Sequence, residues 1–223
     1  MRLLGGIEKP IPAYGAVGYD GVTGSAKVAE EWAKRGFSGI KAKIGYPTVQ
    51  EDVEVIRAIR SAVGSSVAMM ADYNQCLTPS EAVQRLRLLD DEGLTWVEEP
   101  TLAHDYAGHA FIARETKTPI QCGENWWGTL DMQHAIDAQA SDFMMPDVMK
   151  IGGVTGLATR SSTCTDTWNP YRLKGTAARN RWLGAVILLI RFDIVGMGSS
   201  PLFIIYLRSL FYPLYYHSEV YDK

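Results

Sequence analysis

The feature that most constrains the fold is a regular alternation of two hydrophobic periods along residues 1–156. Short apolar runs rich in β-branched residues are each followed by a stretch with helical periodicity. Because neighbouring parallel strands need a crossover connection, strands interleaved with helices in this way predict consecutive βα units and a parallel sheet. The predicted strands are Ile11–Val17, Gly39–Ile44, Val67–Tyr73, Thr95–Glu98, Pro119–Gly123 and Asp142–Pro146, and the predicted helices are Ser25–Arg35, Gln50–Val63, Pro79–Glu92, Tyr106–Thr116 and Leu130–Ala138.

The alternation assigns the chain to the α/β class and leaves two architectures open. A closed barrel and a doubly wound sheet are built from the same βα unit, and composition does not separate them. At 223 residues, with 47% apolar and 21% charged residues, the chain has the composition of a globular protein that buries a core.

Residues 157–223 differ from the rest in charge and aromatic content. The first 156 residues carry 14 Lys and Arg against 21 Asp and Glu, whereas the tail carries 8 against 4 and holds 11 of the aromatic residues. Its apolar runs, Leu183–Ile190 and Pro201–Leu207, are shorter than the roughly 18–20 residues of a spanning helix. A membrane anchor is therefore disfavoured. Two alternatives stay open: the apolar runs form a buried helix or strand, or residues 157–223 do not fold together with residues 1–156.

Charge and cysteine content restrict the partners and the compartment. A formal net charge of −3 gives no electrostatic reason to expect nucleic acid or an acidic membrane surface. Cys76, Cys122 and Cys164 are odd in number and lack the spacing of a disulfide framework, which indicates a reduced, cytoplasmic setting. Because Glu8 interrupts the N-terminal residues before a long apolar stretch develops, we do not expect a signal peptide in this segment.

Three acids fall at or just past the ends of predicted strands, in equal steps of one βα unit. Asp72, Glu98 and Glu124 are separated by 26 residues each. Since parallel strands end side by side at the carboxyl face where such folds place their chemistry, we expect the three carboxylates to converge. Their mutual repulsion would be relieved by a hard divalent cation, and oxygen ligands suit Mg²⁺.

Two lysines close the strand one unit earlier. Lys41 and Lys43 alternate along Gly39–Ile44, so both ammonium groups are predicted to face the interior that the acids share. Burial and a like charge both favour the neutral amine, and we expect them to lower the pKa of this pair toward the range of a general base.

These residues lie in strings that resemble the enolase superfamily, and within it the mandelate racemase group. The resemblance runs from about Leu4 to Gly156, which makes residues 1–156 similar to a partial carboxyl-terminal (β/α)₈ barrel of about six βα units, followed by the divergent tail 157–223. The matching strings are Lys41–Pro47, Asp72–Gln75, Trp96–Thr101, Gly123–Trp126 and Met145–Gly153.

The resemblance implies Mg²⁺ as cofactor and a small-molecule carboxylate as substrate. Asp72, Glu98 and Glu124 match the metal ligands. Lys43 matches the base that removes the proton α to the substrate carboxylate, and Lys41 matches the neighbour that tunes it.

Further positions of the resemblance concern substrate binding and a second base. Asn74 and Lys150 match residues of the substrate site. Asp147 matches the acid that orients a histidine from the next strand, but no histidine occurs between His134 and His217.

Two neighbouring positions carry structural expectations. If Glu98 points into the barrel, strand alternation predicts that Glu99 faces the helix layer and makes a supporting bond. His104 and His109 are predicted to be loop and helix-surface residues.

The resemblance also implies a later glutamate that hydrogen-bonds the substrate carboxylate and an amino-terminal capping domain that closes the site. We expect this chain to lack both, as it lacks the histidine, and two functional hypotheses therefore stay open. The first is a Mg²⁺-dependent racemase or dehydratase of hydroxy acids or sugar acids. The second is a truncated, non-catalytic remnant that binds a divalent metal or pairs with a full-length homologue, and a homo-oligomer is compatible with either. We expect the tail to stem from a reading-frame change, retained intron or misassigned gene end, and Met1 to be an internal start.

Overall fold

The computed structural model describes residues 13–157 and two strand segments of the tail, residues 186–188 and 204–207. All the predicted strands and helices are present, with ends that differ from the predicted ones by a few residues. In chain order they are β1 (Ala13–Val17), α1 (Gly21–Lys34), β2 (Gly39–Lys43), α2 (Val49–Val63), β3 (Ala68–Asp72), α3 (Pro79–Leu89), β4 (Trp96–Glu98), α4 (Tyr106–Glu115), β5 (Ile120–Cys122), α5 (Gly128–Ala138), β6 (Phe143–Met144), β7 (Val186–Leu188) and β8 (Ile204–Leu207).

The strands form a closed barrel in sequence order, which resolves the choice that the sequence left open. Strands β1 to β6 pair with their neighbours in parallel, as consecutive βα units require. Strand β7 is parallel to β6, whereas β8 is antiparallel to both β7 and β1. Six parallel βα units are thus confirmed, and the last two strands close the sheet without repeating the unit.

Each apolar run of the tail contributes one of these closing strands. Strand β7 lies within Leu183–Ile190 and β8 within Pro201–Leu207, so the strand alternative is the correct one for both runs. The remaining tail positions, including Cys164 and His217, lie outside the described residues. No helix among the described residues has the length and hydropathy needed to span a membrane.

Two helices begin at threonine N-caps that the sequence encodes directly. The Thr48 side chain accepts a hydrogen bond from Glu51 N, and the Glu51 carboxylate accepts one from Thr48 N, which forms a capping box at α2. Thr78 caps α3 in the same way, with Pro79 at the first helical position as predicted. Helix α1 starts four residues before its predicted start at Ser25. The prediction left out the first turn because Gly21 and Gly24 in that turn have low helix propensity.

The core has an outer layer between helices and sheet and an inner layer inside the barrel. Alternate strand residues face opposite sides, so Ile40 and Ala42 of β2 pack with the helices while Lys41 points inward. The inner floor beneath Lys41 is a cluster of four fully buried side chains: Tyr14, Met70, Trp96 and Met145.

One close contact fixes α1 against β1. A Cβ atom added to Gly15 would lie 2.3 Å from Cγ of Trp32, and the Trp32 indole donates a 2.8 Å hydrogen bond to Ala16 O. The indole therefore occupies the space that any side chain at position 15 would need.

We predict that Gly15→Ala lowers the free energy of unfolding by about 1–3 kcal/mol through overpacking against Trp32. The measurement is urea unfolding followed by circular dichroism. In a Trp32→Ala background the same substitution should have little effect, and an equal loss in both backgrounds would show that the indole is not the cause.

His109 is buried rather than on the helix surface, so the expectation for this residue is wrong, whereas His104 is exposed as predicted. The residue lies on the face of α4 that packs inward, with Nδ1 3.1 Å from the carbonyl oxygen of Asp105 one turn earlier. Burial lowers the pKa of His109, and the hydrogen bond and charge of Asp105 only partly oppose this.

Because the pKa of His109 is lower in the folded chain than in the unfolded one, the unfolded chain binds the additional proton first. We therefore predict that stability is retained above about pH 6.5, the ordinary histidine pKa, and falls as the pH drops below it. Urea midpoints at pH 7.5 and pH 5 should differ less in His109→Gln than in the parent chain, with exposed His104→Gln as control. Identical pH dependence in all three proteins would contradict this assignment.

Candidate active site

The register of the parallel sheet aligns three of the predicted site residues at the carboxyl ends of their strands. Lys43 of β2 is the Cα partner of Asp72 of β3, and Asp72 is the Cα partner of Glu98 of β4. Each is the last residue of its strand, so the three side chains lie next to one another at the mouth of the barrel.

Glu124 reaches the same mouth from a loop rather than from a strand end. Strand β5 ends at Cys122, and Gly123 then takes a φ of +138° with the Met145 backbone only 3.0 Å from where a Cβ would lie. The close approach of β6 and the backbone angle together require glycine here. Burial is the main cause of the raised pKa of Glu98, and the turn at Gly123 brings Glu124 close enough for its charge to add to the shift.

A buried ion cluster is the centre of the site. The Lys41 ammonium donates to both carboxylate oxygens of Glu98 at 2.8 Å and lies 3.2 Å from Asp72 Oδ2. The exposed fractions of the three side chains are 4% for Lys41, 1% for Asp72 and 0% for Glu98. One fully desolvated cation thus neutralises part of the charge of two desolvated acids.

The pKa of Lys41 moves opposite to the expected direction. Burial lowers it, but the charges of Glu98 and Asp72 outweigh burial and hold the pKa of Lys41 well above its usual range. The prediction of a lowered pKa is therefore wrong for Lys41, because two carboxylates lie within 3.2 Å of its ammonium. The surroundings of Lys41 favour its charged form.

The two acids that share Lys41 have pKa values displaced in opposite directions. Burial raises the pKa of Glu98, and repulsion from Asp72 and Glu124 adds to this, while Lys41 opposes it. For Asp72, burial is outweighed by Lys41 and Lys43 and by a hydrogen bond from Asn74 N, so its pKa is lowered. The surroundings thus favour the charged form of Asp72 and disfavour that of Glu98.

Two of the three predicted metal ligands, Asp72 and Glu98, belong to the buried ion cluster. The third, Glu124, lies near them at the barrel mouth. Within residues 13–157 and the two tail strands, no group of three or more His, Cys, Asp or Glu side chains is close enough as it stands to hold a metal ion. The donor set nevertheless fits Mg²⁺ chemically, because Asp72, Glu98 and Glu124 offer only hard carboxylate oxygens. Burial and the repulsion from the other two acids raise the pKa of Glu98, and a divalent cation would relieve both.

Lys43 lies at the rim of this cluster and is accessible. Its ammonium donates to Asp72 Oδ2 at 3.0 Å and to Asn74 Oδ1, and its side chain is 42% exposed. Asn74 in turn donates its backbone N–H to Asp72 Oδ1 at 2.9 Å. The structure thus brings Lys43, Asp72 and Asn74 together.

Glu99 was predicted to face the helix layer because adjacent strand residues point to opposite sides of the sheet. The backbone at Glu99 does not follow this strand pattern. Its φ of +38° is in the left-handed region, and its carboxylate accepts hydrogen bonds from Asn125 Nδ2 at 3.0 and 2.8 Å. Burial, with a further contribution from Glu124, raises the pKa of Glu99 to about 7. The side chain lies near Glu124 at the mouth, so the prediction that it faces the helix layer is wrong and the prediction of a supporting hydrogen bond is confirmed.

Asn125 connects this acid to Lys150. The Lys150 ammonium donates to Asn125 Oδ1 at 2.8 Å, and Asn125 Nδ2 lies 3.4 Å from Glu124 Oε1 in addition to its bonds to Glu99. The sequence argument gave Asn125 no role. Its only signal was its place directly after Glu124.

Asp147 is occupied by its own turn. Its Oδ1 accepts hydrogen bonds from Met149 N at 2.6 Å and Lys150 N at 3.4 Å, just after β6. The carboxylate therefore shapes the turn that carries Lys150.

Comparison with known proteins places these features in a family. Residues 24–167 match the family described as enolase C-terminal domain-like. The chain is 35% identical over 156 residues to the 3,6-anhydro-alpha-L-galactonate cycloisomerase of Streptomyces coelicolor, an alignment that covers 69% of this chain and 43% of that protein. It is 32% identical over 160 residues to the L-talarate/galactarate dehydratase of Salmonella typhimurium, covering 69% and 39%.

Solved structures give the same result. An enolase from Bradyrhizobium complexed with magnesium and mandelic acid superposes with a TM-score of 0.71 at 39% identity, covering 74% of this chain and 46% of that one. An L-talarate dehydratase from Polaromonas complexed with Mg and L-glucarate gives 0.66 at 29% identity, with coverage of 74% and 47%. The chain spans less than half the length of these relatives. It belongs to the enolase superfamily, in its mandelate racemase group, and its six parallel βα units are part of that family's carboxyl-terminal barrel.

Proposed function

We propose that this chain carries the site of a Mg²⁺-dependent enzyme that removes the proton α to the carboxylate of a hydroxy acid or sugar acid. The observation that carries the proposal is the pairing of an accessible amine, Lys43, with the buried cluster of Lys41, Asp72 and Glu98 at the barrel mouth. Relatives named as dehydratases, cycloisomerases and an epimerase support this reaction class. A small-molecule carboxylate in the cytoplasm is the proposed partner.

Asp72, Glu98 and Glu124 are the residues that would hold the metal. A bound Mg²⁺ would supply positive charge to the substrate carboxylate as negative charge grows on it. Lys41, fixed as an ammonium by Glu98 and Asp72, contributes a second positive charge at the same place and needs no rearrangement to do so.

Lys43 is the proposed base. In its neutral form its amine accepts the α-proton, and the electron pair of the broken C–H bond moves into the carboxylate to give an enediolate. Return of a proton to the carbon gives racemisation, whereas departure of a β-hydroxyl with a proton, as water, gives dehydration. Asn74, which already accepts from Lys43, is placed to contact a substrate hydroxyl beside it.

On the opposite side, Lys150 is the proposed contact for another polar group of the substrate. Its ammonium is held by Asn125, whose amide is itself oriented by Glu99. Asp147, which fixes the turn before Lys150, acts in this proposal by positioning that lysine rather than by orienting a histidine.

A second candidate function is the non-catalytic remnant that binds a divalent metal or pairs with a full-length homologue. The observation that favours it is that the sequence has no histidine between His134 and His217, so Asp147 has no histidine to orient in the segment that follows it. This candidate keeps the metal ligands and assigns no turnover to Lys43.

We predict α-proton exchange when the chain is incubated with Mg²⁺ and a panel of hydroxy acids and sugar acids in D₂O. Lys43→Ala should abolish the exchange, since a general base contributes roughly 10²–10⁴-fold. Exposed Lys27→Ala is the matched control and should behave as the parent chain. Nuclear magnetic resonance follows the α-proton signal, and exchange that survives in Lys43→Ala would refute the role of this base.

We also predict that the chain binds Mg²⁺ and that Glu98→Gln weakens binding by at least about tenfold, because one of three carboxylate charges is lost. Isothermal titration calorimetry measures the affinity without any substrate. Glu115→Gln, which removes a surface acid paired with Arg87, is the control. Equal affinity in Glu98→Gln and the control would remove Glu98 from the ligand set.

A further inference from the structure

Asp52 is a fully buried carboxylate outside the barrel that accepts four hydrogen bonds. It belongs to the first turn of α2, and its exposed fraction is 0%. Its Oδ1 accepts from Gly45 N at 2.8 Å and Tyr46 N at 2.9 Å, and its Oδ2 accepts from the Tyr73 hydroxyl at 3.0 Å and Arg85 Nη1 at 2.9 Å. All the bonds are short enough to define the positions of their donors.

The four donors come from three different segments. Gly45 and Tyr46 belong to the loop that follows β2, Tyr73 to the loop that follows β3, and Arg85 to α3. Arg85 strengthens the link, because it also donates to the carbonyl oxygens of Tyr46 at 2.8 Å and Pro47 at 3.2 Å.

The two loops also pack closely against each other beside this carboxylate. A Cβ atom at Gly45 would lie 2.8 Å from Cys76 Sγ and 3.4 Å from the Tyr73 ring. The loop after β1 joins them, since the Tyr19 and Tyr46 rings stack at 4.0 Å and the Tyr46 hydroxyl accepts from Gly21 N at 2.8 Å. Asp52 therefore lies at the junction of the loops that follow the first three strands.

The position of these donors relative to the site gives the network its functional meaning. Gly45 is two residues after Lys43, and Tyr73 lies between Asp72 and Asn74, the two residues to which Lys43 donates. A shift of one loop against the other would move Asn74 relative to the Lys43 ammonium and disturb the strand ends that carry Lys43 and Asp72.

We propose that Asp52 is a positioning residue that fixes Lys43 against Asp72 and Asn74 by tying together the two loops that directly follow Lys43 and Asp72. The consequence for catalysis rests on the function proposed above, whereas the positional claim rests only on the contacts of Asp52. Arg85 is the counter-ion that allows an acid to be buried at this junction.

The first test measures the freedom of the Lys43 amine directly. Folded protein is treated with a limiting amount of an amine-acylating reagent, and the labelling rates of Lys43 and exposed Lys27 are compared by mass spectrometry. In Asp52→Asn and in Tyr73→Phe the rate at Lys43 relative to Lys27 should rise about threefold to tenfold, the factor that one hydrogen bond is worth. Tyr73→Phe loses only a hydroxyl, so it keeps the test available if Asp52→Asn does not fold.

Glu81→Gln is the matched control. Glu81 accepts from Arg85 Nη2 at 3.1 Å on the outer side of the network and does not touch Asp52. Its labelling ratio should equal that of the parent chain. Urea unfolding verifies that each variant is folded under the labelling conditions.

The second test separates positioning from stability and from the function proposed above. If the parent chain catalyses α-proton exchange, Tyr73→Phe and Asp52→Asn should lower kcat with little change in KM. If the parent chain shows no exchange but the Lys43 labelling ratio rises in both variants, the positional role holds and the proposed function fails. A lowered urea midpoint with an unchanged labelling ratio in both variants would overturn the positional role and leave Asp52 a stabilising residue only.

Discussion

The site depends on one desolvated contact, the Lys41 ammonium between Glu98 and Asp72. A lysine that is 4% exposed is tolerated because two carboxylates surround it, and those acids are tolerated in the barrel because the lysine is there. Removal of Lys41 would leave two buried carboxylates without the ammonium that they share, so the cluster restricts above all what can occupy position 41. The apolar floor of Tyr14, Met70, Trp96 and Met145 keeps water away from it and strengthens every charge interaction above.

The same contact gives different roles to Lys41 and Lys43, which the sequence pattern alone does not distinguish. Lys41 lies two residues before Lys43 along β2, and this deeper position places it between the acids, where its pKa is held high. Lys43 is at the strand end and 42% exposed, with one acid and one amide as partners. A buried lysine that stays charged serves as a fixed electrostatic group, whereas an accessible one can exchange its proton with solvent or substrate. The difference in depth therefore supports the assignment of the base to Lys43 rather than to Lys41.

Sequence periodicity predicted the parts of this site that strand register controls. Six strands and five helices were found where apolar alternation placed them, and the 26-residue spacing correctly put Asp72 and Glu98 at adjacent strand ends. Positions set by single backbone angles were not predictable. Glu99 leaves its expected direction because of a φ of +38°, and Asn74 and Gln75 likewise take left-handed angles that their sequence does not announce. The direction of the pKa shift of Lys41 was missed because it depends on distances of about one hydrogen bond. The antiparallel pairing of β8 was missed because an apolar run of that length carries no information on strand direction.

The described residues of the proposed site all come from β2 to β6 and the loops that follow them, and two polar networks support them from opposite sides. Near β2 and β3, the carboxylate of Asp52 links the loop that follows Lys43 with the loop that carries Asn74. Near β4 to β6, the amide of Asn125 links Glu99 with Lys150. The first network joins the Asp52 carboxylate to backbone and side-chain donors, and the second joins three side chains, all in hydrogen bonds of 2.8–3.0 Å. Loops that carry site residues need such contacts to hold a geometry. Among the residues that the structure describes, the site is therefore held by contacts between β2 to β6 and the segments that follow them, while β7 and β8 close the sheet.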